Sequence, residues 1–185
     1  MASLPLIAHS DCAVVLVDYQ AGLAFAAGSA DRQGIRSAAL ALAKTAVAFS
    51  VPVVVSTSAT KVYSGPLMPP LRAVLTDVVP IERRNMNLWE DEAAKAAVVA
   101  DACGGLTQDS HWAALQRMQQ AGAVLTSWLQ GLLEFQRDWT RRETYEAARA
   151  IVVEHAGGLR HRVGLRPRHD QAGLGNTRMG SGCKS

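Results

Sequence analysis

The sequence predicts an α/β fold in which a mostly parallel sheet lies between two layers of helices. Three observations carry that prediction. Short β-branched runs alternate with longer segments of helical period, the pattern left by right-handed strand-helix-strand crossovers. The runs end in polar or charged residues, as strands do where a parallel sheet presents its carboxyl ends to a site. A chain of 185 residues, 49% apolar and 19% charged, suits one core of ordinary size and excludes wholesale disorder.

The elements follow in order. "AVVLVD" (13–18) reads as a first strand ending in an acid, and residues 31–49 place Ile35, Ala38, Leu40, Leu42, Ala43 and Val47 near helical spacing. "VPVVVSTS" (51–58) is a second strand, with a Pro tolerated at its start and hydroxyl residues at its close. Pro66, Pro69 and Pro70 break the chain before a helical turn at 71–75, and "VVPIER" (78–83) gives a third strand. Helix resumes over 88–97. "VVADA" (98–102) is a strand by composition, "SHWAALQRMQQAG" (110–122) an amphipathic helix stopped by Gly122, and "AVLTSW" (123–128) a last strand. One or two helices over 128–158 close the domain. Five strands in a single sheet are expected.

Composition limits the function. The longest apolar runs, such as "AVVLV", fall far short of the roughly 18 residues of a membrane span, so no membrane is expected. "MASLPLIAHSD" has no basic region before an apolar one, which does not look like a secretory signal. Cys12, Cys103 and Cys183 are widely spaced and form neither a disulfide framework nor a metal knuckle. A cytoplasmic setting is expected. No pair of histidines has ligand spacing, so neither a metal nor another cofactor is expected. The net charge of +3 is uneven: residues 158–185 hold Arg160, Arg162, Arg166, Arg168, Arg178 and Lys184 against Asp170, leaving the rest of the chain at −2. The division expected is a domain over 1–157 and a basic, disordered tail over 158–185. The tail has no aromatic residue to stack on bases, which favours a solvated tail over one that binds nucleic acid.

Five stretches, in order, carry a family resemblance: "AVVLVDYQAGLAF", "PVVVSTSATKVYSGPLMPPL", "PIERRNMNLWED", "VVADACGG" and "MQQAGAVLTSWLQGLLEFQRDW". Together they resemble the isochorismatase-like cysteine hydrolases, the YcaC-like branch in particular, over about residues 8–157. The resemblance implies a Rossmann-like three-layer α/β/α fold, hydrolysis of a small amide or related substrate, and assembly into a homo-oligomer. It also implies a triad of base, cation and cysteine nucleophile. Asp18 takes the base position, and Arg83 the cation position, where Lys is commoner in the superfamily. Gln20, Asn87 and Trp89 take substrate-binding positions. Trp112, Trp128, Phe135 and Trp139 are expected in the core or in oligomer packing.

The nucleophile has no counterpart. In "DEAAKAAVVADACGG" (91–105) a helix runs into a strand with no Gly, Pro, Asn or Asp to turn the chain, although such joins use about 2 to 6 loop residues. The resemblance implies that one strand-helix unit carrying the catalytic Cys, roughly thirty residues, is missing at 97/98. The shortened sheet would then have a gap or a rearranged neighbour beside the first strand. Cys103 serves as a substitute nucleophile only if 98–102 moves across to pair with that strand. Three readings remain open: an impaired hydrolase, an active one that recruits Cys103, and a non-enzymatic oligomeric interaction protein with a basic tail.

Overall fold

The computed structural model describes residues 6–83, 98–138 and 140–156. The helix expected over 88–97, the residues Asn87, Trp89 and Trp139, and the tail over 158–185 lie outside the described residues.

Among the described residues five strands form, all in parallel pairs, but in two sheets. β1 (Val14–Val17) pairs with β2 (Val53–Ser58), and β2 pairs with β3 (Ile81–Arg83). β4 (Val98–Val99) pairs with β5 (Leu125–Thr126) and with no other strand among the described residues. Among the described residues the expectation of one five-stranded sheet is therefore corrected to a three-stranded and a two-stranded sheet, with β1 at an edge of the first. A second correction concerns 98–102. Only its first two residues are strand, and Ala100–Ala102 curls into a 3-10 turn. The cause lies in the partner: β5 stops at Thr126 because Ser127 caps the next helix. With no second neighbour among the described residues, β4 extends no further than β5 does.

Six helices accompany the strands among the described residues. α1 (Ala21–Ala24) is a single turn that the sequence reading did not anticipate. α2 (Arg32–Ala48) starts where the Asp31 carboxylate accepts hydrogen bonds from the N–H groups of Gln33 and Gly34 at 3.3 and 2.8 Å, the usual N-cap arrangement. α3 (Pro69–Val74) carries its prolines in the first turn, where their missing N–H groups lose nothing. α4 (Gln108–Gln120) begins with a reciprocal Thr107–Ser110 capping box. The closing region forms two helices, α5 (Trp128–Gln136) and α6 (Arg142–His155). None of these helices is long and apolar enough to cross a membrane.

α2 is the hub. Its run of small residues, Ala38, Ala39, Ala41, Ala43 and Ala46, is fully buried and lets α3, α5, α6, β1 and the 100–102 turn approach closely. The core collects Leu16, Val55, Leu71, Leu75, Leu132, Phe135 and Ile151 around it. Trp128 and Phe135 belong to this core as expected, whereas Trp112 is 53% exposed on α4. α4 buries Leu115 alone. Val54, beside Val15 in the β1–β2 register, is 39% exposed. The face of the sheet that carries Val15 and Val54 is thus less covered, among the described residues, than the face that carries Leu16 and Val55.

Candidate functional site

Three strands bring their carboxyl ends to one place. The Asp18 N–H donates to the Ser56 carbonyl at 2.9 Å, which continues the β1–β2 ladder by one residue. The backbone then turns through a positive φ of 58° at Asp18, a conformation that Asp tolerates better than most residues. Beside it, the Ser58 hydroxyl donates to the Asp18 carboxylate at 3.1 Å. On the other flank of β2, Ser58 lies opposite Arg83 in register and Thr57 lies opposite Glu82. Asp18 and Arg83 therefore end the two strands that flank β2, at the same end of the sheet, roughly 10 Å apart at two strand spacings.

The loop after β2 is held by side chains rather than by a ladder. Glu82 accepts the Thr57 hydroxyl at 3.0 Å and the Thr60 N–H at 3.1 Å. The bond from the Thr60 backbone, foremost, lowers the Glu82 pKa. Gln20 is 0% exposed, and its amide is paired with the backbone of Ser58 and with the Gly65 carbonyl. The sequence reading assigned Gln20 to substrate binding. Its buried amide holds the loop that carries Ser58, and so acts on Asp18 at one remove.

Cys103 is in a different setting. It follows the 3-10 turn after β4, half-buried, with its N–H donating to Ala100 at 3.2 Å. Burial first, and the charge of Asp101 second, push its thiol up to about 11, the opposite of what an attacking thiolate requires. Asp101 is engaged elsewhere: it accepts the Trp128 N–H at 2.9 Å at the start of α5, and desolvation raises its pKa. The next helix begins only at Gln108, five residues after Cys103, and its capping box already engages the N–H groups of Thr107 and Ser110. The two glycines that follow Cys103 serve packing. Gly105 accepts from the N–H groups of Gly28 and Ser29 at 2.9 and 3.1 Å, and a Cβ on Gly104 would meet Ile35 at 2.9 Å. The move that would have carried 98–102 to the edge of β1 did not occur, since β4 pairs with β5.

Tyr19 was missed from the sequence. Its hydroxyl donates to the Ala102 carbonyl at 2.5 Å, 83 positions away, and so links the end of β1 to the turn after β4. Burial, with help from Cys103 and Asp101, raises its pKa. The only sequence signal was an aromatic with a polar tip directly after the strand-end acid. Cys12, at the amino end of β1, also has its pKa raised by burial and by Asp11. An open cavity of about 400 Å³ lies away from the strand ends, between Leu6 and α5, lined by Leu129, Leu133, Glu134 and Arg137 among others. Among the described residues no group of three or more His, Cys, Asp or Glu side chains could hold a metal ion.

Comparison with known proteins gives the context of this geometry. No family model matches the chain. The Escherichia coli (strain K12) protein described as probable hydrolase YcaC is 29% identical over 188 residues, covering 82% of this chain and 89% of the relative. The crystal structure of E. coli YcaC, an octameric hydrolase of unknown specificity, superposes with a TM-score of 0.80 at 28% identity, over 89% of this chain and 97% of that one. YcaC from Pseudomonas aeruginosa, solved with hexane-2,5-diol and covalent acrylamide, gives 0.80 at 27% identity over 89% and 98%. With its parallel strands, its helices and these likenesses in both sequence and structure, the chain is a homologue of the YcaC hydrolases and has their isochorismatase-like α/β fold.

Proposed function

We propose that this chain is a YcaC-type hydrolase domain that keeps a strand-end binding site for small polar or amide-like molecules but does not turn them over through a covalent intermediate. The observation that carries this reading is that β1, among the described residues, is an edge strand of its sheet. A covalent hydrolase needs its nucleophile within hydrogen-bond reach of its base. The strand that the family resemblance expects next to Asp18, bearing the nucleophile, has no counterpart among the described residues. In this reading Asp18 and Arg83 are the base and cation left at the site, and Asn87 and Trp89 complete its substrate side. The ancestral reaction is hydrolysis of a small amide or related compound.

Two further facts support it. An alignment that runs over 188 positions while spanning only 82% of a 185-residue chain contains residues of the relative with no counterpart here, as a missing unit at 97/98 requires. The thiol of Cys103, at about 11, is protonated at neutral pH and so a poor substitute. Domain and setting are read in the same way: a hydrolase domain over 1–157 with a basic tail over 158–185, in the cytoplasm. A homo-oligomer is the assembly that the octameric E. coli relative suggests.

The test uses acrylamide, the reagent found covalently bound in the P. aeruginosa relative. The full chain and E. coli YcaC are treated side by side at neutral pH, and modified peptides are mapped by mass spectrometry. Slow modification at Cys103, no faster than a free thiol with a raised pKa, is the expected result. Fast labelling of Cys103 that Asp18→Ala abolishes overturns the reading and makes Cys103 the recruited nucleophile.

A further inference from the structure

One carboxylate fixes the segment before β1 against α5. Glu134 accepts the Ile7 N–H through Oε2 at 2.8 Å and the Gln130 side-chain amide through Oε1 at 3.0 Å, so donors engage both of its oxygens. Ile7 packs on the core, and two residues further on the His9 ring lies against Phe49 with centroids 6.0 Å apart. Leu6, directly before Ile7, therefore stands as a wall beside α5. Between this wall and the helix lies the cavity of about 400 Å³, within the range of small-molecule sites, roughly 300 to 1,000 Å³.

The helix side of the cavity has a direction. Leu129, Leu133 and Arg137 line it, and residues four apart follow one another in a row along a helix. At about 1.5 Å per residue this row is about 12 Å long. It begins in two leucines and ends in a cation at the carboxyl end of α5. Glu134 stands three positions before Arg137, within pairing distance on a helix, yet its oxygens are turned to Ile7 and Gln130. Among the described residues the Arg137 side chain makes no hydrogen bond or ion pair. The apolar walls are unsatisfied as well, since Leu6 is 56% and Leu133 40% exposed.

We infer that this groove binds one linear, medium-chain carboxylate, with its hydrocarbon chain between Leu6 and the Leu129–Leu133 row and its carboxylate on the Arg137 guanidinium. A guanidinium presents paired N–H donors that match the two oxygens of a carboxylate. Methylenes laid on the leucines remove apolar surface from water on both sides. With bonds of about 1.5 Å and angles near 111°, an extended chain advances about 1.25 Å per carbon, so a row of about 12 Å takes about eight to ten carbons. The far end of the row is Leu129, which favours a monocarboxylate over a dicarboxylate. One row of leucines covers a single chain and not the two chains of a membrane lipid. The inference does not rest on the function proposed for the strand ends.

The test is calorimetric titration of the full chain with sodium octanoate, sodium butanoate and octan-1-ol, each kept below the concentration at which it aggregates. Octanoate should bind one to one, and butanoate at least about tenfold more weakly, because it lacks four methylenes. Arg137→Gln should weaken octanoate at least about tenfold and leave octan-1-ol unchanged, as loss of a charged hydrogen bond requires. Arg137→Lys, which keeps the charge without the fork, should fall between Arg137→Gln and the parent. Leu133→Gln should weaken octanoate and octan-1-ol alike. Leu133 and Arg137 are exposed, so these variants should melt as the parent does. No binding of octanoate overturns the inference, and so does binding that neither Arg137→Gln nor Leu133→Gln changes, which is surfactant adsorption. A Leu133→Gln chain that changes its oligomeric state and binds octanoate as the parent does assigns the groove to a second copy and overturns it too. None of these readouts involves Asp18, Arg83 or Cys103, so the outcome is separable from that of the acrylamide experiment.

Discussion

The side-chain amide of Gln20 pairs with the backbone of Ser58 as a neighbouring strand would: its oxygen accepts the Ser58 N–H at 2.9 Å and its nitrogen donates to the Ser58 carbonyl at 2.9 Å. The same nitrogen donates to the Gly65 carbonyl. A wholly buried side chain thus replaces the ladder where β2 ends, and it fixes the residue whose hydroxyl holds Asp18. Gln20→Ala leaves three backbone groups unpaired in a buried place and should destabilise the chain by about 3 kcal/mol. Gln20→Glu, almost the same shape, turns an acceptor toward two carbonyls and should do no better. Urea melts of both variants check this. A loss below about 1 kcal/mol in both would mean that the loop is held by something else.

Tyr19 gives a second prediction. Tyr19→Phe keeps the ring and removes only the bond to the Ala102 carbonyl, so the cost should be about 1 to 2 kcal/mol. The phenol should also ionise only above the ordinary tyrosine range, since burial raises its pKa. A near-ultraviolet titration of the folded chain, with Tyr19→Phe as the reference, should show that Tyr19 is missing from the phenols that titrate near the usual value. If it titrates with them, the phenol is not buried against the Ala102 turn as described.

The two residues just discussed mark what the sequence could and could not reveal. β1 and β2 were legible because each is a β-branched run, and α2 because its apolar residues recur at helical spacing behind an Asp N-cap. Asp18 and Arg83 were legible as strand ends, and register places them at one end of the sheet. The roles of Gln20 and Tyr19 were not, because their partners lie 38 and 83 positions away and nothing local signals them. Ala100–Ala102 misled for a related reason. "VVADA" has strand composition, but a strand lasts only as long as its partner, and β5 ends at Thr126.

Gly22 is predicted to be intolerant of any side chain. A Cβ there would lie 2.1 Å from the Tyr63 carbonyl oxygen and 2.9 Å from that of Ser64. Both are backbone atoms, and the Gly22 N–H already donates to Ser64 at 2.8 Å, so α1 and the loop after β2 cannot separate without losing that bond. Gly22→Ala should therefore cost more than the roughly 1 kcal/mol typical of a point substitution. The neighbouring Ala21→Gly, on the same turn, should cost about 1 kcal/mol or less by helix propensity alone. Comparable thermal melts for the two would show that the loop yields easily.

His155 sets the response to mild acid. It ends α6 against α2, with Nδ1 2.9 Å from the Ser37 hydroxyl, its ring edge-on to Trp128 and Nε2 buried 3.5 Å from the Glu154 carboxylate. Burial lowers its pKa, Glu154 raises it, Lys44 lowers it, and the lowering wins. A histidine kept neutral in the fold binds its proton more readily in the unfolded chain. Stability from this group is therefore fully present above the ordinary value of about 6.5 and is lost as pH falls below it toward the lower folded value. Urea melts at about pH 7.5 and about pH 5.5 should show a drop at the lower pH, in a window above the range where Glu82 and Asp138, whose pKa values are lowered, take up protons. His155→Gln keeps a polar group toward Ser37 and cannot be charged, so the drop should shrink. If the variant loses as much stability as the parent over that range, the titrating group is not His155, and the packing of α6 on α2 does not depend on its charge.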